Sequence, residues 1–239
     1  LLIEQKAKDM LRHYVGVVLP EGYKAQVVAT SRRAAILYRG KLLAARDELV
    51  GDIEAIPAAT FALPDHEIEQ LDQKTRFLVR AKPILPLIRA LDVAVVISGN
   101  HNDPESWWDW SNKEKQGEYT KRFKRKLAVE RTEKTDPLAL MVVNNMLLTG
   151  FDAPIEQVMY LDRKVVAHDL LQAIARVNRT CGRKKCGYVV DYIGVARHLN
   201  DALKDYDGED TQGTLIDINV ELPKLIDRRK RAVAVFTDR

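Results

Sequence analysis

Short apolar, β-branched runs alternate along this chain with longer amphipathic segments. Residues 25–30 (AQVVAT), 93–98 (VAVVIS), 138–143 (LALMVV), 157–161 (QVMYL) and 188–191 (YVVD) are short and valine-rich, which predicts buried strands. Residues 31–46, 113–126, 168–179 and 195–206 are longer and amphipathic, which predicts helices. Alternation of this kind predicts an α/β fold with a mainly parallel sheet. Ligands of such sheets gather beyond the carboxyl ends of the strands, so chemistry is expected in the loops that follow them. Two regions break the pattern. Residues 47–91 are charged and helical in character but interrupted by Pro57, Pro64, Pro83 and Pro86, which predicts an insertion of several short helices. Residues 207–239 open on Asp207-Gly208-Glu209-Asp210 and continue as a basic tail, which predicts a linker and the start of a C-terminal helical region.

Composition adds limits. A chain of 239 residues suits one large domain, or one domain with an appendage. The net charge of +4 favours an anionic partner only weakly. The basic residues are clustered, however, at 121–126 (KRFKRK), 183–185 (RKK) and 228–231 (RRKR). Each cluster suits either phosphate neutralisation or a solvated surface. Two cysteines, Cys181 and Cys186, form neither a disulfide framework nor a zinc spacing, which fits free thiols in a reducing compartment and a cytoplasmic location. No apolar run has the length of a membrane span, so no membrane partner is expected. The chain opens on Leu1-Leu2-Ile3 with no methionine, as expected of a piece of something longer.

Candidate chemistry concentrates between residues 146 and 179. In HDLLQAIARVNR (168–179), Gln172, Arg176 and Arg179 fall at i, i+4 and i+7 on one helical face, and Leu170, Leu171, Ile174 and Val177 on the other. Guanidiniums are planar, permanently charged donors suited to phosphate, and such arginine fingers stabilise charge on a transferring γ-phosphoryl. On spacing alone the same face could be an ordinary solvated one. Upstream, Thr149-Gly150-Phe151-Asp152-Ala153-Pro154 follows a strand. It offers a hydroxyl and backbone N–H groups to a phosphate, and Asp152 offers a carboxylate to a ribose hydroxyl.

The string from Met146 to Arg179 resembles motifs V and VI of superfamily 2 helicases. Its wording, LLTGFDAP followed by LLQAIARVNR, is similar to the restriction (R) subunit of type I restriction–modification enzymes. The likeness continues through residues 187–203 (GYVVDYIGVARHLNDAL), and VVATSRRAA (27–35) resembles motif IV. It covers roughly residues 20–206, with 47–91 poorly matched, and Asn144-Asn145 stands where the family has an acidic residue. The resemblance implies a RecA-like P-loop NTPase fold over 1–206, the second motor half of an ATP-dependent DNA translocase and site-specific deoxyribonuclease. It implies finger arginines at Arg176 and Arg179, and nucleotide contacts from Gly150, Asp152 and Gln172. DNA-backbone contacts would come from Ser31, Arg32 and Thr149. The implied cofactor is ATP with magnesium, shared with a first RecA-like domain of the same subunit. The implied partners are double-stranded DNA, read through its phosphates, and the modification and specificity subunits.

Some features are absent and some mislead. The phosphate-cradling G-x-x-x-x-G-K-[ST] loop is missing, since Gly40-Lys41 is followed by Leu42 and lacks the upstream glycine. No Asp-Glu-x-His strand end appears, so the chain alone is not expected to hydrolyse ATP. Pro64-Asp65 with Asp72-Gln73-Lys74 mimics a nuclease motif, but the spacing is short and the pattern helical, which predicts coincidence. Trp107-Trp108-Asp109-Trp110 suits loop anchoring better than base stacking. No residue is expected to bind a metal directly. The competing readings are a non-catalytic DNA-binding module of the same shape and a motor domain of another superfamily 2 helicase.

Overall fold

The computed structural model describes residues 2–147, 151–165 and 167–194. The chain opens on helix α1 (Leu2–His13), which continues through a π-helical turn (Tyr14–Val18) into strand β1 (Lys24–Ala29). Helix α2 (Arg32–Glu54) follows, then α3 (Ala58–Phe61), α4 (Asp65–Ile68), α5 (Gln73–Ala81) and α6 (Leu85–Ala90). Next come β2 (Asp92–Val96), α7 (Trp108–Ser111), α8 (Lys113–Lys124) and two short strands, β3 (Lys126–Leu127) and β4 (Thr135–Asp136). The described chain closes with β5 (Leu138–Val143), β6 (Glu156–Asp162), α9 (Ala167–Val177) and β7 (Tyr188–Asp191).

Among the described residues, five strands form a wholly parallel sheet in the order β2-β5-β1-β6-β7. The α/β architecture with a parallel sheet is therefore as the hydrophobic pattern predicts. All five predicted strands are present, with ends shifted by at most two residues. The reason is burial on both faces, which leaves β1, β5 and β6 fully buried: β5 is wholly apolar, and the apolar runs of β1 and β6 are flanked or interrupted only by the buried polar residues Lys24, Gln26, Glu156, Gln157 and Asp162. Ala25, Val27, Ala29, Val93, Val95, Leu140, Val142, Val158 and Tyr160 pack with α1, α2, α5 and α6 in one core. The intervening residues, including Val28, Val96, Met141 and Met159, face the other way. There α8 packs on β5, and α9 packs on β6 and β7.

The helical elements depart from expectation in two main respects, the end of α2 and the presence of α1. Helix α2 runs to Glu54 instead of ending near residue 46, because Ala45 and Ile53 continue its buried stripe. The proline-interrupted stretch that follows is helical in short pieces, and Asp72 caps α5 by accepting from the Lys74 and Thr75 N–H groups. That use of Asp72 is structural, in keeping with the coincidental nuclease pattern. Helix α1 is the element the pattern missed. It is tied to the sheet by Lys6, which donates to Asp162 (2.5 Å), and by Asp9, which accepts from Tyr192. The helix expected at 195–206, the boundary placed after residue 206 and the basic cluster 228–231 lie outside the described residues.

Candidate functional site

Two groups of predicted residues occupy different places. Ser31 and Arg32 sit at the carboxyl end of β1, where the Ser31 side chain caps α2 by accepting the Ala34 N–H (3.0 Å). A hydroxyl used in this way keeps its own hydrogen for an outside acceptor. Arg32 is engaged within the domain. It makes a bidentate pair with Asp103 (2.6 and 2.5 Å), donates to the Ser98 carbonyl (2.7 Å) and lies over the Trp107 ring. Asn144, which replaces an acidic residue of the resemblance, ties the strand ends together. It donates to the Ala29 carbonyl (2.8 Å), and its own carbonyl accepts from Arg163 (2.9 Å).

Arg176 and Arg179 lie elsewhere, at the far end of α9. Ala173, Ile174 and Val177 bury one face of the helix, while Gln172 is exposed. The expected face division therefore holds where side chains are described. Arg179 lies just beyond the helix, in an exit turn closed by Asn178 N–H to Ile174 and Arg179 N–H to Arg176 carbonyls. The segment joining β5 to β6 has no helix among its described residues, and both arginines reach it. Arg176 donates to the Leu147 carbonyl (2.6 Å), and Arg179 is ion-paired with Asp152. The structure thus brings together Arg176, Arg179 and Asp152. It does not bring Ser31 and Arg32 to them. Thr149 and Gly150 lie outside the described residues.

Several further residues support this arrangement, although the motif reading assigns them no role in it. Leu147 holds φ at 63°, the left-handed region that non-glycine residues rarely occupy. Lys184, in a cluster that the sequence leaves open between phosphate neutralisation and a solvated surface, donates instead to the Pro154 (2.6 Å) and Glu156 (2.9 Å) carbonyls. Asn178 accepts the Gly187 N–H (2.8 Å). Glu156, at the start of β6, is fully buried, and that burial pushes its carboxyl up to about 8 against the pull of Arg176 and Lys184. A neutral carboxyl is the form such a site favours at neutral pH. Burial also lowers the pKa of the Arg176 guanidinium, although arginine remains charged.

The remaining candidates are divided. Within the 121–126 cluster, Arg122 is buried and bonded to Asp136 (3.0 and 3.1 Å) and Asp92 (2.6 Å), so this member of the cluster is internal scaffolding. Trp107 and Trp110 pack on the core, with Trp110 stacked on Tyr119 and under Arg39, whereas Trp108 is exposed. Lys41, of the incomplete phosphate-loop pattern, pairs with Glu4 on α1. The described residues contain no group of His, Cys, Asp and Glu able to hold a metal, and no helix long and apolar enough to cross a membrane.

Fold and geometry define an α/β domain on a parallel sheet whose arginine-bearing helix holds the segment crossing between two central strands. The family model for type I restriction enzyme subunit R domain 3 matches residues 22–194, and the chain belongs to that family. It is similar to a Methanocaldococcus jannaschii protein named as the endonuclease subunit of type I restriction enzyme MjaIXP, at 36% identity over 145 residues, 60% of this chain and 13% of that protein. It is also similar to the HindI endonuclease subunit of Haemophilus influenzae, at 36% identity over 129 residues, 52% of this chain and 12% of that protein. The matched segments thus span about one-eighth of these relatives' length. A solved fragment from Vibrio vulnificus YJ016, described as an HsdR subunit of a type I restriction enzyme, has a TM-score of 0.44 at 17% identity, covering 85% of this chain and 31% of that one.

Proposed function

We propose that this R-subunit domain is the second RecA-like half of an ATP-driven DNA translocase. The observation that supports the reading most is the convergence of Arg176 and Arg179, from the end of one helix, on the crossing segment at Leu147 and Asp152. Guanidiniums placed in this way suit a phosphate chain presented from outside the domain. Their half-exposed positions fit an anion arriving from a neighbouring domain, and the chain has no phosphate-cradling loop of its own. Arg176 and Arg179 act as finger arginines, Gln172 lies near the same phosphates, and Gly150 and Asp152 line the ribose and phosphate side. ATP with magnesium, held mainly by a first motor domain, supplies the γ-phosphoryl group and its metal.

DNA-backbone contacts fall to Ser31, Thr149 and Arg32. Ser31 retains a free donor, while Arg32 must exchange its Asp103 pairing for a phosphate. Contacts of this type position a motor on DNA without reading sequence. The modification and specificity subunits of the complex are the expected partners. The test is Arg179→Ala in a full-length R subunit assembled in its complex. Loss of an arginine finger lowers ATP turnover by about 10³-fold or more, with salt-sensitive DNA binding nearly intact. Retention of ATP hydrolysis overturns the assignment.

A further inference from the structure

The two arginines do not point into open solvent. Arg176 donates to the Leu147 carbonyl, and Arg179 pairs with Asp152, so α9 grips the crossing segment on both sides of residues 148–151. The two grips differ in kind. Arg176 is partly buried, and its acceptor belongs to a residue whose φ of 63° is unfavourable for leucine. The Arg179–Asp152 pair is open, with side chains 49% and 56% exposed. An exposed pair of this sort is worth little and yields readily to a competing polyanion. Arg179 also lies beyond the last turn of α9, so its side chain can turn away without disturbing the helix.

We infer that Asp152 is a positioning residue for Arg179: it holds the guanidinium over the crossing segment in the nucleotide-free domain and competes for it with the phosphates of a nucleoside triphosphate. Capture of Arg179 by phosphate then frees the Asp152 end of the segment, while Arg176 keeps the Leu147 end. This rests on the finger assignment of Arg179 above and replaces the ribose contact given there to Asp152, from which it predicts the opposite sign.

The experiment uses a full-length R subunit in its complex, with KM for ATP and kcat measured separately. Asp152→Asn keeps the shape and removes the charge. Relief of an exposed pair lowers KM for ATP by roughly two- to fivefold, and Asp152→Glu restores the original value. In an Arg179→Ala background, equilibrium binding of a fluorescent ATP analogue no longer responds to Asp152→Asn. An unchanged KM, a raised KM (the sign of direct nucleotide contact) or a persistent effect in the Arg179→Ala background overturns the inference and leaves the finger assignment standing. The finger assignment fails separately, if Arg179→Ala by itself leaves ATP turnover intact.

Discussion

Gly187 offers a direct test of how packing sets the position of the two arginines. It precedes β7, and a Cβ added there would lie 2.4 Å from the carbonyl carbon and oxygen of Val177 and 2.7 Å from the Val177 Cβ. Carbon atoms in contact sit about 3.5–4.0 Å apart, so Gly187→Ala forces the end of α9 outward by about 1 Å. The obstacle is backbone and a β-branched stem, neither of which can swing aside. The same movement stretches the hydrogen bond from Gly187 N–H to Asn178. Overpacking of this size costs about 1–3 kcal/mol of stability. A 1 Å misplacement of catalytic groups can cost about 10²-fold in rate, so under the proposed finger role the displacement of Arg176 and Arg179, which flank Val177, lowers ATP turnover. The assays are thermal unfolding and ATP turnover of the full-length R subunit, with Gly182→Ala as a comparison at a left-handed position (φ 56°) whose added Cβ would meet only the Tyr23 hydroxyl, at 3.7 Å. Gly187→Ala should lower kcat far more than Gly182→Ala does. Wild-type kcat and melting temperature in Gly187→Ala would falsify the idea that close approach of β7 and α9 sets the arginines.

Two further predictions concern the scaffold on the α8 side. Asp136 is fully buried and accepts from Arg122 and from the Leu138 N–H. Burial raises its pKa, but these bonds and the Arg122 charge outweigh it and hold the carboxyl below its ordinary range. A depressed folded pKa means stabilisation that is present above the ordinary carboxylate range and lost as pH falls through the folded value. Asp136→Asn should therefore cost about 3–5 kcal/mol at neutral pH and flatten the acid limb of the stability curve; an unchanged acid limb would exclude Asp136 as its source. Lys24 is buried in β1, donates to the Arg122 carbonyl (3.3 Å), and burial pushes its ammonium down to about 7. The unfolded chain then binds the extra proton between pH 7 and the ordinary lysine range, so this group makes stability rise with pH there. Lys24→Met should stabilise by about 1–4 kcal/mol, most at pH 7 and below and less toward pH 10, as read from urea unfolding at several pH values. A loss of stability at pH 7 would show that the ammonium contributes more than its burial costs.

How much could be read from sequence depended on the range of the interaction. Strands β1, β5 and β6 are legible because two-sided burial concentrates short, β-branched apolar runs such as VVA, LALMVV and VMYL, even though β1 and β6 also bury Lys24, Gln26, Glu156, Gln157 and Asp162. Helix α9 was legible because its polar and apolar residues divide by helical periodicity. Helix α1 also shows helical periodicity, with Ile3, Ala7, Met10, Leu11 and Tyr14 on one face, but the sequence reading gave it no place; its anchors to Asp162 and Tyr192, more than 150 residues away, are visible only in the tertiary structure. The extension of α2 to Glu54 was missed for a related reason. Its charged outer face resembles an insertion until Ile53 is seen to be buried. Lys184 and Arg122 show the limit for charge clusters: the sequence leaves each open between phosphate neutralisation and a solvated surface, and each instead spends its charge on the domain's own carbonyls or carboxylates.

The sequence by itself determined the α/β class, the order of its strands along the chain and the motif wording that marks the family, because these depend on local periodicity and residue chemistry. Only the tertiary structure decided that β1 lies between β5 and β6, so that the connection from β5 to β6 passes to the far side of β1 and Asp152 within it comes within reach of Arg179. It also decided that Arg32 is spent on Asp103 and that Arg176 and Arg179 meet Leu147 and Asp152. Such pairings are choices among partners far apart in the chain, and a charged side chain carries no local mark of the acceptor that packing will bring to it.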